Sequence, residues 1–360
     1  MKNEQKIPVI VLVVAAIVFV HWIIVRKAQA PIRENESIKI GVIAPLTGGG
    51  SIFGNALVNS IKLAQADTKG TKHQYEVVVE DDETNPTKST SAAQKLTQID
   101  KVKAIITVTS GTGNAVAPIA EAAGVIHICV CSDSKVATGT YSFTNLVLPE
   151  DEAALWIKAA QTRQIKRVVL FAQIHPGIQA VIDALKAQLP QSGIEIVFEE
   201  RFTPDTRDFR TALGKSKAAK PDTYFFIAFP PSLDILGKEY RELGFKQPLT
   251  STAAFGITKQ PELFEGAWYT DGGLAQLAFR ERFEREFPGA RFNPRTAPYG
   301  YDTFKLLVRA FEQGDVLAAF TTGEPYAGMA GQLTYRSDHR FRSTPMLWIL
   351  KHGSPELLTH

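Results

Sequence analysis

Only a few stretches of this chain carry side chains that could do chemistry. In Thr107–Asn114 (TVTSGTGN) hydroxyls and two glycines sit between an apolar run and a stretch of helical spacing. A loop of that kind at a helix start turns N–H groups and hydroxyls towards a carboxylate or another polar head group. An ordinary glycine-containing connection between strand and helix has the same composition. Asp81-Asp82-Glu83 is an acidic cluster without an ordered ligand loop, so a strand-end turn with Asp81 or Asp82 accepting from loop N–H groups explains it without metal. His127, Cys129 and Cys131 alternate along one apolar run; they share a strand face, and a buried face explains them as well as a metal does. The two cysteines, as neighbours on one side of an extended strand, are expected to be buried thiols and not to bridge each other. The chain has no G-x-S-x-G, no P-loop, no G-x-G-x-x-G and no H-E-x-x-H, and no two of its histidines stand four apart. Catalysis, a cofactor and a metal are therefore not expected.

The elements that must position these residues alternate between strand and helix. Ser37–Ala44 is a strand, Pro45–Gly54 a glycine-rich loop and Ala56–Ala66 a helix; Tyr75–Glu80 and Thr87–Ile99 repeat the pattern. Ala104–Val108 is short, apolar and β-branched, as in a parallel strand covered on both faces. A helix is expected over Ala115–Ala123, with Pro118 in or near its first turn and Gly124 as its stop, followed by the strand Val125–Val130. A second series follows: helix Glu152–Thr162, strand Arg167–Ala172, helix Gly177–Leu189, strand Ile194–Glu199, helix Asp208–Ala218, strand Thr223–Ala228, helix Ser232–Leu243 and strand Leu249–Thr252. After Trp268 come helices Phe279–Phe287 and Tyr299–Glu312, a loop Gly323–Gly331, and a strand pair Gly331–Tyr335 and Met346–Lys351. The pattern predicts an α/β protein of two closely apposed lobes, each a parallel sheet covered by helices.

Composition agrees. The 360 residues are 44% hydrophobic and 21% charged, with a net charge of +3 and scattered basic residues, which gives no nucleic-acid footprint. At the N-terminus Lys2 and Lys6 precede Ile7–Val25, apolar apart from His21, and Arg26, Lys27 and Ala28-Gln29-Ala30 follow. Residues 1–30 are either a cleaved signal or a retained membrane anchor; both carry the rest out of the cytoplasm.

From about Ser37 to Leu350 the chain resembles the leucine/isoleucine/valine-binding proteins, extracytoplasmic solute receptors of ABC importers with the type I periplasmic-binding fold. The matching stretches are IKIGVIAPLTGGGSIFG, VEDDETNP, TSGTGNAVAPIAEAAGV, TPDTRDFRTAL, PDTYFF, GYDTFKLLVRAF and GMAGQLTYRSDHRF, in that order. The resemblance implies two Rossmann-like lobes, residues 31–149 with 271–332 and residues 150–270 with 333–360, joined by crossings near Pro149, Asp271 and Leu333. The implied partners are a small-molecule ligand and the permease of an ABC importer, with the inner membrane added if residues 7–25 stay uncleaved. The alternatives are a membrane-anchored sensor or regulatory ectodomain that signals to a protein, and a cell-envelope scaffold with a degenerate cleft.

The resemblance also nominates site residues. Ser110 matches the serine that holds the ligand carboxylate, with Gly111 and Thr112 beside it. Cys131 and Asp133 match the next loop, where the family has small or hydroxylated residues; Asp133 either accepts a ligand amino group or bonds within its own loop. Phe53, His175 and Phe229 stand where aromatics are common. Ala254 stands closest to the acidic residue with which amino-acid receptors hold the ligand's ammonium, and Leu249–Thr258 contains no acid at all. A closed cleft without a counter-charge points away from α-amino acids, towards a carboxylate, a neutral amide or an aromatic solute.

Overall fold

The computed structural model describes residues 37–272, 277–321 and 324–358. The segment 1–30, expected to be a signal or an anchor, lies outside them. The first series of elements is β1 (Ser37–Ala44), α1 (Ser51–Ala66), β2 (Gln74–Asp81), α2 (Pro86–Lys95), β3 (Ala104–Val108), α3 (Ser110–Ala123), β4 (Ile126–Val130) and β5 (Ser142–Asn145). The second is α4 (Pro149–Thr162), β6 (Arg167–Gln173), α5 (Pro176–Gln188), β7 (Glu195–Phe202), α6 (Arg210–Ser216), β8 (Thr223–Ile227), α7 (Ser232–Glu242), β9 (Leu249–Thr252) and β10 (Trp268–Asp271). Then follow α8 (Leu277–Glu286), α9 (Ala297–Gln313), α10 (Val316–Thr321), β11 (Tyr326–Gly328), β12 (Gly331–Arg336), β13 (Arg340–Arg342), β14 (Met346–Lys351) and β15 (Ser354–Leu357).

These strands form two sheets, one per lobe, ordered β11-β12-β13-β5-β4-β3-β1-β2 and β15-β14-β10-β9-β8-β6-β7. The pairings β2-β1-β3-β4-β5 and β7-β6-β8-β9-β10 are all parallel, β13 joins β5 in parallel, and the antiparallel pairings lie beyond these, at one end of each sheet. Every residue of β3, β4 and β8 is buried, the consequence of helices on both faces. Among the described residues no helix is long and apolar enough to cross a membrane.

Four expectations change. Gly331–Tyr335 and Met346–Lys351 are not a pair: β12 belongs to the first sheet and β14 to the second. The third crossing therefore lies between Arg342 and Met346, later than Leu333, because β12 and β13 form a hairpin whose β13 pairs with β5. Within the loop expected over Gly323–Gly331, Tyr326–Gly328 adds β11 to that hairpin. Helix α3 begins at Ser110, so Pro118 lies in its interior and not in its first turn. Gly124 does end it, in the left-handed conformation at φ 65°, where Gly is favoured.

Beside the crossings, each acid in the first turn of α4 takes an arginine from the rest of the chain. Glu150 pairs with Arg340 at 2.7 Å, Asp151 with Arg342 at 2.7 Å and Glu152 with Arg295 at 3.0 Å. Acids there also suit the positive end of the helix.

Candidate functional site

Strand ends from both lobes meet around one cavity of about 100 Å³. From the first lobe it is lined by Phe53 in the first turn of α1, by Val108-Thr109-Ser110 where β3 becomes α3, and by Val130-Cys131-Ser132 after β4. From the second come His175 after β6, Ile227-Ala228-Phe229 after β8, and Thr252-Ala253-Ala254 after β9. The lobes touch here: the rings of Phe53 and Phe229 meet edge to face at 5.3 Å, and His175 abuts Phe229 at 5.0 Å. The loop that carries Phe53 is tied down by Asp81, which accepts from the Leu46 N–H at 2.9 Å and from the Thr47 hydroxyl at 2.7 Å.

The head of the first-lobe wall is the start of α3. Thr109 holds a positive φ of 74°, and its hydroxyl accepts from the Thr112 N–H. A non-glycine residue in that region costs on the order of 1–3 kcal/mol, and such strain concentrates at functional sites. Ala253, on the second-lobe wall, does the same at φ 58°. Ser110 is buried, and its Oγ accepts the Asp133 N–H at 3.3 Å, which leaves the hydroxyl proton to donate. That hydroxyl sits beside the first-turn N–H groups and the positive end of a helix of 14 residues.

Across the cavity, Nδ1 of His175 accepts from the Gly177 N–H at 3.1 Å. This bond assigns the ring proton to Nε2, making that nitrogen a donor. Burial pushes the His175 pKa down to about 4, against a small opposite pull from Asp133, so the ring is neutral at physiological pH.

Of the residues nominated from sequence, Phe53, Ser110, Cys131, His175, Phe229 and Ala254 line the cavity; Gly111, Thr112 and Asp133 do not. Thr112 gives its hydroxyl to Asp82, which also accepts from the Ser89 hydroxyl and the Thr84 N–H, so the pair ties α3 to α2. Asp133 accepts from the Asn114 side chain at 2.9 Å and the Lys135 N–H at 3.0 Å. These bonds hold Asp133 to the start of α3 and to its own loop. Gly111 contributes backbone in the first turn of α3.

Cys129 and Cys131 form a disulfide, against expectation. Regular strand geometry does not extend to Cys131: β4 ends at Val130, the chain bends, and the two Cα atoms approach to 5.3 Å. His127 is buried, with Nε2 2.8 Å from the Thr107 hydroxyl. Among the described residues no cluster of His, Cys, Asp or Glu could hold a metal ion.

Sequence reasoning missed Thr252, Arg295 and Thr296, which also line the cavity. Arg295 stands just before α9 in a polar stretch with no pattern to mark it. Its guanidinium donates to Glu152 at 3.0 Å and to Asp271 at 2.8 Å, tying the first two crossing segments to the turn before α9. Burial raises the pKa of both carboxylates, against the pull of the arginine. No aspartate or glutamate lines the cavity.

The sequence profile of the periplasmic binding proteins matches residues 37–350. The chain belongs to the periplasmic binding protein family. This is a family of extracytoplasmic receptors, binding proteins rather than catalysts. The Leu/Ile/Val-binding protein BraC3 of Rhizobium johnstonii is 27% identical over 231 residues, a match covering 61% of this chain and 62% of that protein. The fold is that of the leucine-binding protein LivK of Thermotoga maritima, with a TM-score of 0.81, 22% identity, and coverage of 89% of this chain and 98% of that one. An ABC transporter solute-binding protein of Rhodopseudomonas palustris, solved with 4-hydroxybenzoate, superposes with a TM-score of 0.79 at 21% identity, covering 90% of this chain and 96% of that one.

Proposed function

We propose that this chain is a solute receptor of an ABC importer that closes on a small aromatic carboxylate. One observation carries the reading: the cavity between the lobes has donors for an anion, apolar and aromatic walls, and no acidic side chain. The Ser110 hydroxyl, the start of α3 and Nε2–H of His175 take the carboxylate. Phe53, Phe229, Ile178 and Ile257 cover the ring. An α-amino acid would bring an ammonium with no counter-charge, because Glu152 and Asp271 are already held by Arg295. Leaving that charge unpaired in a closed cleft costs several kcal/mol. The family contains receptors for branched-chain amino acids and, among structural neighbours, one solved with an aromatic acid; the chemistry of this cavity favours the second kind. Closure follows because only the closed form lets both lobes touch the ligand. The segment Ile7–Val25 exports the rest and either leaves with a signal or remains as an anchor.

The test is a thermal-shift panel of amino acids, benzoates, short-chain carboxylates, amides and polyols, with Ser110→Ala as control. Benzoate at a hundred times its dissociation constant stabilises the protein by ~2.7 kcal/mol, and the shift shrinks in Ser110→Ala. Stabilisation by leucine or valine and none by any benzoate would overturn the reading.

A further inference from the structure

Building on that reading, we propose that the cavity recognises a second polar group on its ligand. The ligand is an aromatic carboxylate with a hydroxyl on the ring position opposite the carboxylate, and Thr252 and Thr296 read that hydroxyl. Both threonines are buried, both line the cavity, and the Oγ1 of each has no hydrogen-bond partner among the described residues. A buried hydroxyl without a partner is costly, and a ligand group that supplies one recovers that cost. Two other orphaned hydroxyls, Ser142 and Thr270, do not line the cavity.

The two threonines come from different lobes, Thr252 from the end of β9 and Thr296 from the turn before α9. A group bridging them therefore forms only when the lobes are together. For Thr252 the spacing from the carboxylate end fits one ring. His175 follows β6, and β8 lies between β6 and β9. Two strand spacings separate these strand ends by ~10 Å. A benzene ring with a substituent at each end, and a hydrogen bond beyond each, spans such a gap.

The second group is a neutral hydroxyl and not a second carboxylate. Arg295, the cation nearest Thr296 in sequence, is already shared by two carboxylates, so this end offers no free positive charge. A hydroxyl can donate to one threonine and accept from the other.

Calorimetric titration of the purified protein with benzoate, 4-hydroxybenzoate and terephthalate tests this, using wild type, Thr252→Val, Thr296→Val and the double variant. Valine keeps the volume and removes the hydroxyl. Wild type should bind 4-hydroxybenzoate about tenfold or more tighter than benzoate, because a site built to pair a hydroxyl penalises a ligand without one. Each single variant should lose part of that preference. The double variant should hold both ligands within about threefold of wild-type benzoate affinity. Equal affinities in wild type, a preference that survives the double variant, or terephthalate as the tightest ligand would overturn the hydroxyl site while leaving the aromatic-carboxylate reading in place. No binding of any of the three would overturn both.

Discussion

Gly177 offers the most direct perturbation of the closed cleft. It lies in the first turn of α5 in the second lobe, yet a Cβ built on it would meet Ser110 Oγ of the first lobe at 2.8 Å. His175 Nδ1 would be the next neighbour, at 3.5 Å. Contact at 2.8 Å is not tolerated, and the atom that must give is the end of a small, rotatable side chain. In Gly177→Ala, Ser110 therefore turns its hydroxyl away and loses its place in the anion site. A hydrogen bond to a charged group contributes ~1.5–3 kcal/mol, so the dissociation constant for benzoate should rise about 10- to 100-fold. Without ligand the stability should change by less than about 1 kcal/mol, because alanine favours the helix and open lobes do not feel the clash. Calorimetry gives the affinity and thermal unfolding the stability. A double-mutant cycle isolates the cause: once Ser110→Ala has removed Oγ, adding Gly177→Ala should weaken binding no further. Unchanged affinity in Gly177→Ala, or additive losses in the double variant, would refute the reasoning, since either result means that Gly177 and Ser110 do not meet in the bound state.

Thr112→Val should destabilise the fold by ~1–3 kcal/mol by leaving Asp82 short of a donor, with the benzoate affinity unchanged; chemical denaturation and calorimetry separate the two effects. Burial holds the His175 pKa at about 4, so benzoate affinity should stay flat between pH 5.5 and 8, and a rise centred near 6.5 would mean that the ring protonates in the complex. Burial also pushes the His127 pKa down to about 3, whereas in the unfolded chain it is ~6.5. Between these values the unfolded chain binds a proton that the folded chain does not, so this residue's contribution to stability falls as pH drops from ~6.5 towards 3, by up to ~1.4 kcal/mol per pH unit. The gap in unfolding free energy between wild type and His127→Gln should narrow accordingly; a constant gap over that range would contradict the assignment.

The parallel core of both lobes was legible because its strands are buried on both faces. Ala104–Val108 and Thr223–Ala228 are apolar and branched or aromatic, and the helices between the strands have clear spacing. The outer strands were harder. Tyr326–Gly328 and Arg340–Arg342 are only three residues each, and what fixes them is pairing with distant segments. That is also why the third crossing was placed too early. In the site, the loop after β3 announced itself by composition, and the resemblance supplied Phe53, His175 and Phe229. The contacts of Thr112 and Asp133 were not legible because a polar side chain in a loop does not reveal its direction; their partners Asp82 and Asn114 lie 30 and 19 residues away. Arg295 and Thr296 reach the cavity through the chain's return to the first lobe, which no local pattern records. The disulfide depended on the bend at Cys131 that ends β4 one residue too soon for regular strand spacing.

The central claim is that the cleft holds an aromatic carboxylate and rejects an α-ammonium. Titrating the protein with benzoate and with leucine in a calorimeter tests it most directly. Saturable heat with benzoate and none with leucine is the predicted result. Tight leucine binding with silence from benzoate would contradict it, and would mean that Glu152 or Asp271 leaves Arg295 to meet the ammonium.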